Sequence, residues 1–301
     1  MELEPRPPST DDAGRIAALL ADCTAADGVE RPARDEIESW LVEGDDPTTV
    51  RRLWLEGDEA VAYSDLSLWN GTVWLYLEVR PSVRGGRETE LLEWNVAAAR
   101  DFGLRHATVR RTVPLADSLG LAATEGAGFT PTRHSYAMSI ELSTKPSPAK
   151  VPDGVSLRRV RAGEERTVWA AHQEAFGDTL DHAHDEPYES WHEDRIAHSS
   201  FDPELWTIAE ADDEIAGVAL CRIRNGHGWV GVIGVRRPWR GRGLGAALLR
   251  ESFGLFWDRG ETVVSLSVDA ESPTGAVRLY EREGMHVTSS SVTLERALVH
   301  S

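Results

Sequence analysis

The run Val79-Arg80-Pro81-Ser82-Val83-Arg84-Gly85 returns 156 residues later as Val235-Arg236-Arg237-Pro238-Trp239-Arg240-Gly241. Gly128-Phe129 returns as Gly284-Met285 at the same offset, and Asn70-Gly71 returns as Asn225-Gly226 at 155. Features matched in order at one spacing point to a duplicated unit, since a solenoid has shorter periods and more copies. A length of 301 residues suits two domains. Between the copies lies Ser143-Thr144-Lys145-Pro146-Ser147-Pro148-Ala149-Lys150, rich in Ser, Pro and Lys and poor in apolar residues. It follows a strand-like run from Ser135 to Leu142. The expected division is residues 1–142, a linker at 143–151, and residues 152–301.

Composition narrows the functional classes. Apolar content of 41% builds globular cores and argues against disorder. No apolar run approaches the roughly 18 residues needed to span a bilayer. The start, Met1-Glu2-Leu3-Glu4-Pro5, has no apolar segment of the kind a secretory signal carries. Cys23 and Cys221 stand far apart and neither has a CxxC partner, which fits buried thiols in a reducing cytoplasm. A net charge of −18 opposes nucleic acid and anionic membrane surfaces and suits a cationic small substrate. The expected state is a monomer or homodimer.

The second copy reads as mixed α/β. Val155 to Val160, Leu205 to Glu210, Ile215 to Ile223, Trp229 to Val235, Val263 to Val268 and Val287 to Leu294 have strand character. Asn225-Gly226 marks a two-residue hairpin. Glu164 to Phe176, Tyr188 to His198, Gly243 to Trp257 and Thr274 to Glu283 have helical character. Between a strand and a helix stands Arg240-Gly241-Arg242-Gly243-Leu244-Gly245. A helix start offers unpaired N–H groups and partial positive charge, and glycines let an anion approach the backbone. This junction is built to hold a phosphate or pyrophosphate. A Walker A loop would need Gly-Lys-Ser/Thr, where the chain has Gly245-Ala246-Ala247. A dinucleotide reading fits Gly241, Gly243 and Ala246, but that fingerprint opens its domain, and here some eighty residues of the copy precede it.

These residues resemble a family. Val235-x-x-Pro238-x-Arg240-Gly-x-Gly243-x-Gly245-x-x-Leu248-Leu249 is similar to the acetyl-CoA signature of the GNAT acetyltransferase superfamily. Asp269-Ala-Glu-Ser272-Pro-Thr-Gly-Ala276-Val-Arg-Leu279-Tyr280-Glu-Arg-Glu-Gly284-Met285 resembles its second signature. The resemblance implies two tandem domains of α/β class, each a mixed twisted sheet flanked by helices. It implies acetyl transfer from acetyl-CoA, a cosubstrate, to a primary amine of a small molecule by direct attack in a ternary complex. No metal is required. Backbone groups from Arg240 to Ala246, through Gly241, Arg242, Gly243, Leu244 and Gly245, would hold the pyrophosphate. Ile233, Gly234 and Val235 would bind pantetheine where their strand splays from the next. Tyr280 would protonate the departing thiolate, a role that suits a phenol. Ser272 stands where the family often has Asn, and its hydroxyl can also cap the following helix.

The resemblance leaves the general base open. Trp229 stands where many members place a Glu. His227, two residues earlier, shares its strand face if the strand reaches it, and imidazole titrates in a suitable range. A water chain is the alternative. The acidic stretch Gly177 to Glu186 lies over the acceptor side in the family, and its His182-x-His184-Asp185 reads as solvated loop before metal site. The first copy keeps Arg84 and Gly85, but has Arg87, Thr89 and Thr124 in place of Gly243, Gly245 and Tyr280. It is expected to keep the fold and lose the catalysis, with Arg84, Arg87, Arg110 and Arg111 still able to meet an anion. A tandem with one competent half resembles mycothiol synthase-like actinobacterial proteins. A non-catalytic acyl-CoA sensor and a protein or peptide N-acetyltransferase are the competing functions.

Overall fold

A computed structural model describes residues 4–43, 47–69, 71–104, 107–177, 186–197, 200–272 and 274–298. The chain forms two compact units: Met1–Ser135 together with Ser289–Ser301, and Tyr136–Thr288. The C-terminal segment therefore belongs to the first unit. Among the described residues, no helix is long and apolar enough to cross a membrane.

In the first unit, helices α1 (Ala13–Asp27) and α2 (Arg34–Glu43) precede strands β1 (Thr49–Glu56), β2 (Glu59–Trp69) and β3 (Thr72–Val79). Helix α3 (Glu88–Ala99), strand β4 (Ala107–Pro114), helix α4 (Ser118–Gly126) and the first part of β5 (Thr130–Glu141) follow. The strand order is β1-β2-β3-β4, completed beside β4 by β11 (His286–Leu298). That last strand runs antiparallel to β4 from Ser291↔Pro114 to Leu298↔Ala107 and buries Val292, Leu294 and Leu298 in the unit's core. One sheet face packs Ile16, Leu19 and Leu20 of α1 against Leu53 and Tyr63, and the other packs Leu91, Leu92 and Val96 of α3 against Val73, Leu75 and Val109.

The second unit repeats the scheme. Strand β6 (Val155–Arg159), helices α5 (Glu165–Phe176) and α6 (Tyr188–Arg195), and strands β7 (Trp206–Ala211), β8 (Glu214–Arg224) and β9 (His227–Val235) come first. Helix α7 (Leu244–Asp258), strand β10 (Val263–Asp269) and helix α8 (Ala276–Arg282) complete it. Its sheet runs from the second part of β5 through β10-β9-β8-β7-β6. Val168 of α5 and Trp191 of α6 pack on Ile208, Val218 and Val232, while Leu248, Phe253 and Phe256 of α7 pack on the opposite face against Ala219, Val230 and Val264. This gives a sheet covered by helices on both faces, as apolar residues on both sides of its strands require.

Shared backbone details support a duplicated unit. In β2 the register with β1 skips Val61, and in β8 the register with β7 skips Ala216, a matching bulge in each unit. The carbonyl of each skipped residue accepts the N–H that follows the third strand, from Arg80 at 2.9 Å and from Arg236 at 3.0 Å. Asn225 and Gly226 have φ of 50° and 71°, so both central residues of the β8–β9 turn are left-handed, as a type I′ hairpin demands. Helix α8 is shorter than its sequence pattern, starting at Ala276 behind Gly275, whose φ of 71° breaks the helix upstream. Ser272 does not cap it; its hydroxyl pairs with that of Thr274 at 2.8 Å.

Candidate active site

The site is built where β9 leaves β10. These parallel strands pair at Val264↔Gly228 and Ser265↔Trp229, and the pairing stops there. Strand β9 runs on to Val235. The backbone of Ile233, Gly234 and Val235 thus lies along a cleft with no β10 ladder beside it. On its other edge β9 is held by β8 through the same stretch, from Gly217↔Val235 to Ala219↔Ile233. Gly234 has a packing reason: a Cβ there would come within 2.9 Å of Ala175 Cβ.

At the end of the cleft the chain makes the Arg236–Gly243 loop and enters α7 at Leu244. Each glycine has a separate job. Gly241 and Gly243 have φ of 75° and 83°, values that side chains resist, and open space lies before them. Gly245 allows α8 to approach, because a Cβ there would lie 3.1 Å from Leu279 Cδ2. Arg242 and Gly243 are exposed, Leu244 is buried against the core, and Ala246 is half-buried. Arg240 fastens the loop from behind. Its Nε donates to Val235 O at 3.0 Å, and a terminal nitrogen donates to Ala175 O at 2.8 Å. The structure thus gives Arg240 two backbone carbonyls to hold, tying loop, β9 and α5 together.

Tyr280 lies on α8, one residue beyond the Leu279 that meets Gly245, and is buried. Burial pushes its phenol up to about 12, so it stays protonated at any working pH. A phenol that keeps its proton can serve as a donor to a developing anion.

The opposite side of the sheet carries a cavity of about 300 Å³. Its lining includes Asp194 and Arg195 from α6, Arg222 from β8, and Trp229 and Gly231 from β9. Gly231 is passed over in the β8–β9 register, which jumps from Leu220↔Val232 to Cys221↔Val230. It is a bulge residue whose strand-edge groups are released from regular pairing. The described charges of the lining are one carboxylate against two guanidinium groups. The half-buried Trp229 supplies an aromatic wall, with the Arg224 guanidinium 5.3 Å from its ring centre. The buried Glu186 carboxylate accepts from Arg195 at 2.9 Å, and burial raises its pKa above the usual range. Cys221 is buried, and burial pushes its thiol up to about 12, so it is no nucleophile.

His227 is the first residue of β9, paired with Arg224 next to the turn, and does not line the cavity. The stretch 178–185, with His182, His184 and Asp185, lies outside the described residues. The sequence reading did not single out Arg222, Gly231, Asp194 or Arg195. A signal existed for the first: counting back from the Asn225-Gly226 hairpin places Arg222 directly across from Trp229. None existed for Asp194 and Arg195, whose helix follows a stretch of irregular sequence.

Residues 167–285 match the Acetyltransferase (GNAT) family. Curated relatives extend the likeness over the whole chain. A mycothiol acetyltransferase of Thermobispora bispora is 31% identical over 290 residues, covering 91% of this chain and 92% of that protein. A mycothiol acetyltransferase of Acidothermus cellulolyticus is 28% identical over 311 residues, 94% of this chain and 90% of that protein. Among solved structures, a GCN5-related N-acetyltransferase from Sphaerobacter thermophilus is 36% identical with a TM-score of 0.83, covering 98% of this chain and 95% of that one. A tandem GNAT protein from the clavulanic acid biosynthesis pathway shares the fold at 18% identity and a TM-score of 0.76. The chain belongs to the GNAT acetyltransferase family, in its tandem form. It is an N-acetyltransferase.

Proposed function

We propose that the second unit transfers an acetyl group from acetyl-CoA to the primary amine of a small polar molecule. The observation that carries this reading is the early end of β9–β10 pairing, followed at once by a glycine loop on a helix start. The residues fit such a substrate. Backbone groups of Ile233, Gly234 and Val235 would hold pantetheine in the cleft. N–H groups from Gly241 to Ala246 would meet the pyrophosphate, helped by the α7 dipole. Arg240 acts by fixing the loop that presents them. Ser272, tied to Thr274, would reach the substrate only by exchanging that bond.

The acceptor would enter the cavity beside Trp229 and Gly231, its ammonium drawn to Asp194. Once deprotonated, the nitrogen lone pair attacks the thioester carbonyl, and a C–N bond forms. The C–S bond then breaks with its electron pair on sulfur, and Tyr280 gives that sulfur a proton. The amine's proton would leave through cavity water, and His227, outside the cavity lining at the strand start, would take it up only by way of that water. The first unit, Met1–Ser135 with Ser289–Ser301, serves as a non-catalytic domain. Relatives named for mycothiol direct the search for the acceptor toward mycothiol-related amines.

The test is thiol release from acetyl-CoA against an amine panel headed by mycothiol-related amines, with peptide N-termini included. Turnover on a free amine that Tyr280→Phe lowers supports the reading. Tight acetyl-CoA binding without turnover on any amine would replace the enzyme with a sensor, and turnover on peptides alone would replace the small acceptor.

A further inference from the structure

The first unit contains the same parting of strands, and its cleft is filled from within. Strands β3 and β4 pair from Thr72↔Thr108 to Leu75↔Arg111, and then pairing stops, while β3 continues to Val79. Arg111 stands at the last pair with 3% exposure. Its guanidinium donates to Leu77 O at 3.3 Å, in the part of β3 beyond its pairing with β4. It donates to Glu88 Oε1 at 2.9 Å, on the first residue of α3. It also donates to Thr124 Oγ1 on α4. One side chain thus ties together the strand, the helix start and the second helix that border the cleft.

The second unit shows what these positions otherwise carry. Val73 pairs with Val109 as Gly228 pairs with Val264, so Arg111 corresponds to Leu266. At the offset of 156, Leu77, Glu88 and Thr124 correspond to Ile233, Leu244 and Tyr280. Leu, Leu and Tyr in one unit are Arg, Glu and Thr in the other. A lone buried charge at any of them is costly, and the Arg111–Glu88 ion pair with its bond to Thr124 offsets much of that cost. The change is coherent and does not look like scattered decay. The neighbouring loop agrees: Arg84 donates to Val79 O at 3.0 Å and lies 3.2 Å from the Asp117 carboxylate, so this arginine is also committed inward.

We infer that unit 1 carries a built-in surrogate for the cofactor, and that the chain therefore holds one acetyl-CoA, in unit 2. Arg111 takes the β3 carbonyl at the position where pantetheine would bind in unit 2. The Glu88 carboxylate supplies the negative charge at the α3 start that a pyrophosphate would supply at α7. The first unit is packed as if permanently loaded. Closure of its cleft stands on the contacts above, while the count of one rests on the reading of unit 2.

Calorimetric titration of the full chain with acetyl-CoA tests this. One site is expected, and Gly243→Val should weaken it at least tenfold, because valine resists the left-handed backbone that position needs. Gly241→Val is the second variant with the same expectation, and unchanged circular dichroism confirms that each folds. Two sites in the parent chain would overturn the inference. So would one site whose affinity both variants leave unchanged, since that places it in unit 1. Absence of binding by the parent chain would refute the reading of unit 2 while upholding closure of unit 1.

Discussion

The wall of the cavity proposed for the acceptor should weaken in mild acid, through a buried histidine of α5. His172 of α5 is buried, and its Nδ1 accepts the indole N–H of Trp191 on α6 at 3.1 Å. Burial, reinforced by nearby Arg195, moves it from 6.5 down to about 3. Protonation would set a second N–H against the Trp191 donor and place a charge in an apolar cluster. The folded-state value is depressed for a group whose neutral form is the stable one inside. Its contribution is therefore present above the unfolded value of 6.5 and lost as pH falls toward 3. Linkage with those two values gives a loss of about 2 kcal/mol between pH 7.5 and 5, with a limiting slope of about 1.4 kcal/mol per pH unit. Urea unfolding of the parent chain and of His172→Asn at pH 7.5, 6 and 5 measures it. Asparagine keeps an acceptor for Trp191 and does not titrate. The parent should lose about 2 kcal/mol more than the variant over that range. Because Trp191 packs on Trp206, which lines the cavity, KM for the amine should rise in the parent before kcat falls. Equal pH dependence of the two proteins would refute the reasoning.

Other expectations follow from single contacts. Tyr280→Phe should lower kcat by roughly 100-fold or more, within the usual range for a lost proton donor, and leave acetyl-CoA affinity intact in a direct titration. The same tyrosine, raised from 10 to about 12 by burial, gives stability that is full below pH 10 and fades as pH climbs toward 12, so the parent should lose more stability than Tyr280→Phe in alkaline urea melts. Arg111→Leu should destabilise by about 3–5 kcal/mol, since it strands the buried Glu88, while Arg111→Leu with Glu88→Leu should recover most of that in thermal melts. Removal of residues after 285 should abolish cooperative unfolding of unit 1, which loses the strand that covers β4.

Much of this was legible in the sequence because it rests on local rules. The Asn225-Gly226 hairpin fixes the β8–β9 register, and the glycine-rich helix start marks the α7 junction. The helical periods of 165–176 and 244–258 were read to within a residue or two. Other features needed the fold. Nothing local says that β11 pairs with β4, since a final strand reads the same whichever edge it covers. The arginines Arg84 and Arg111 looked like remaining anion contacts in sequence. Their partners Asp117, Glu88 and Thr124 lie on other elements, and only packing reveals that both charges are already spent inside the unit.

One signal was in the sequence in numerical form. The hairpins of the two copies stand 155 residues apart and the Val-Arg runs after the third strand 156 apart. The copies therefore differ by one residue within that strand. The β2–β3 register is continuous from Trp69↔Thr72 to Ala62↔Val79, while the β8–β9 register passes over Gly231. The extra residue is the bulge. Its consequence is a change of face: before it Gly228 and Val230 turn toward α7, and after it Ile233 and Val235 do so. An uninterrupted strand, as in unit 1, presents Val73, Leu75, Leu77 and Val79 to a single core. The bulged one stops presenting a regular edge at the point where it leaves β10 and where the cavity lies on its other side. On the function proposed for unit 2, the acyl donor would lie along the β9 edge that β10 leaves free and the acceptor on the α6 side of the sheet, with the bulge between them. Unit 1 parts its strands at the corresponding place without this insertion, so the glycine decides which face of β9 each later residue presents, while the inward contacts of Arg111 decide that the first cleft is closed.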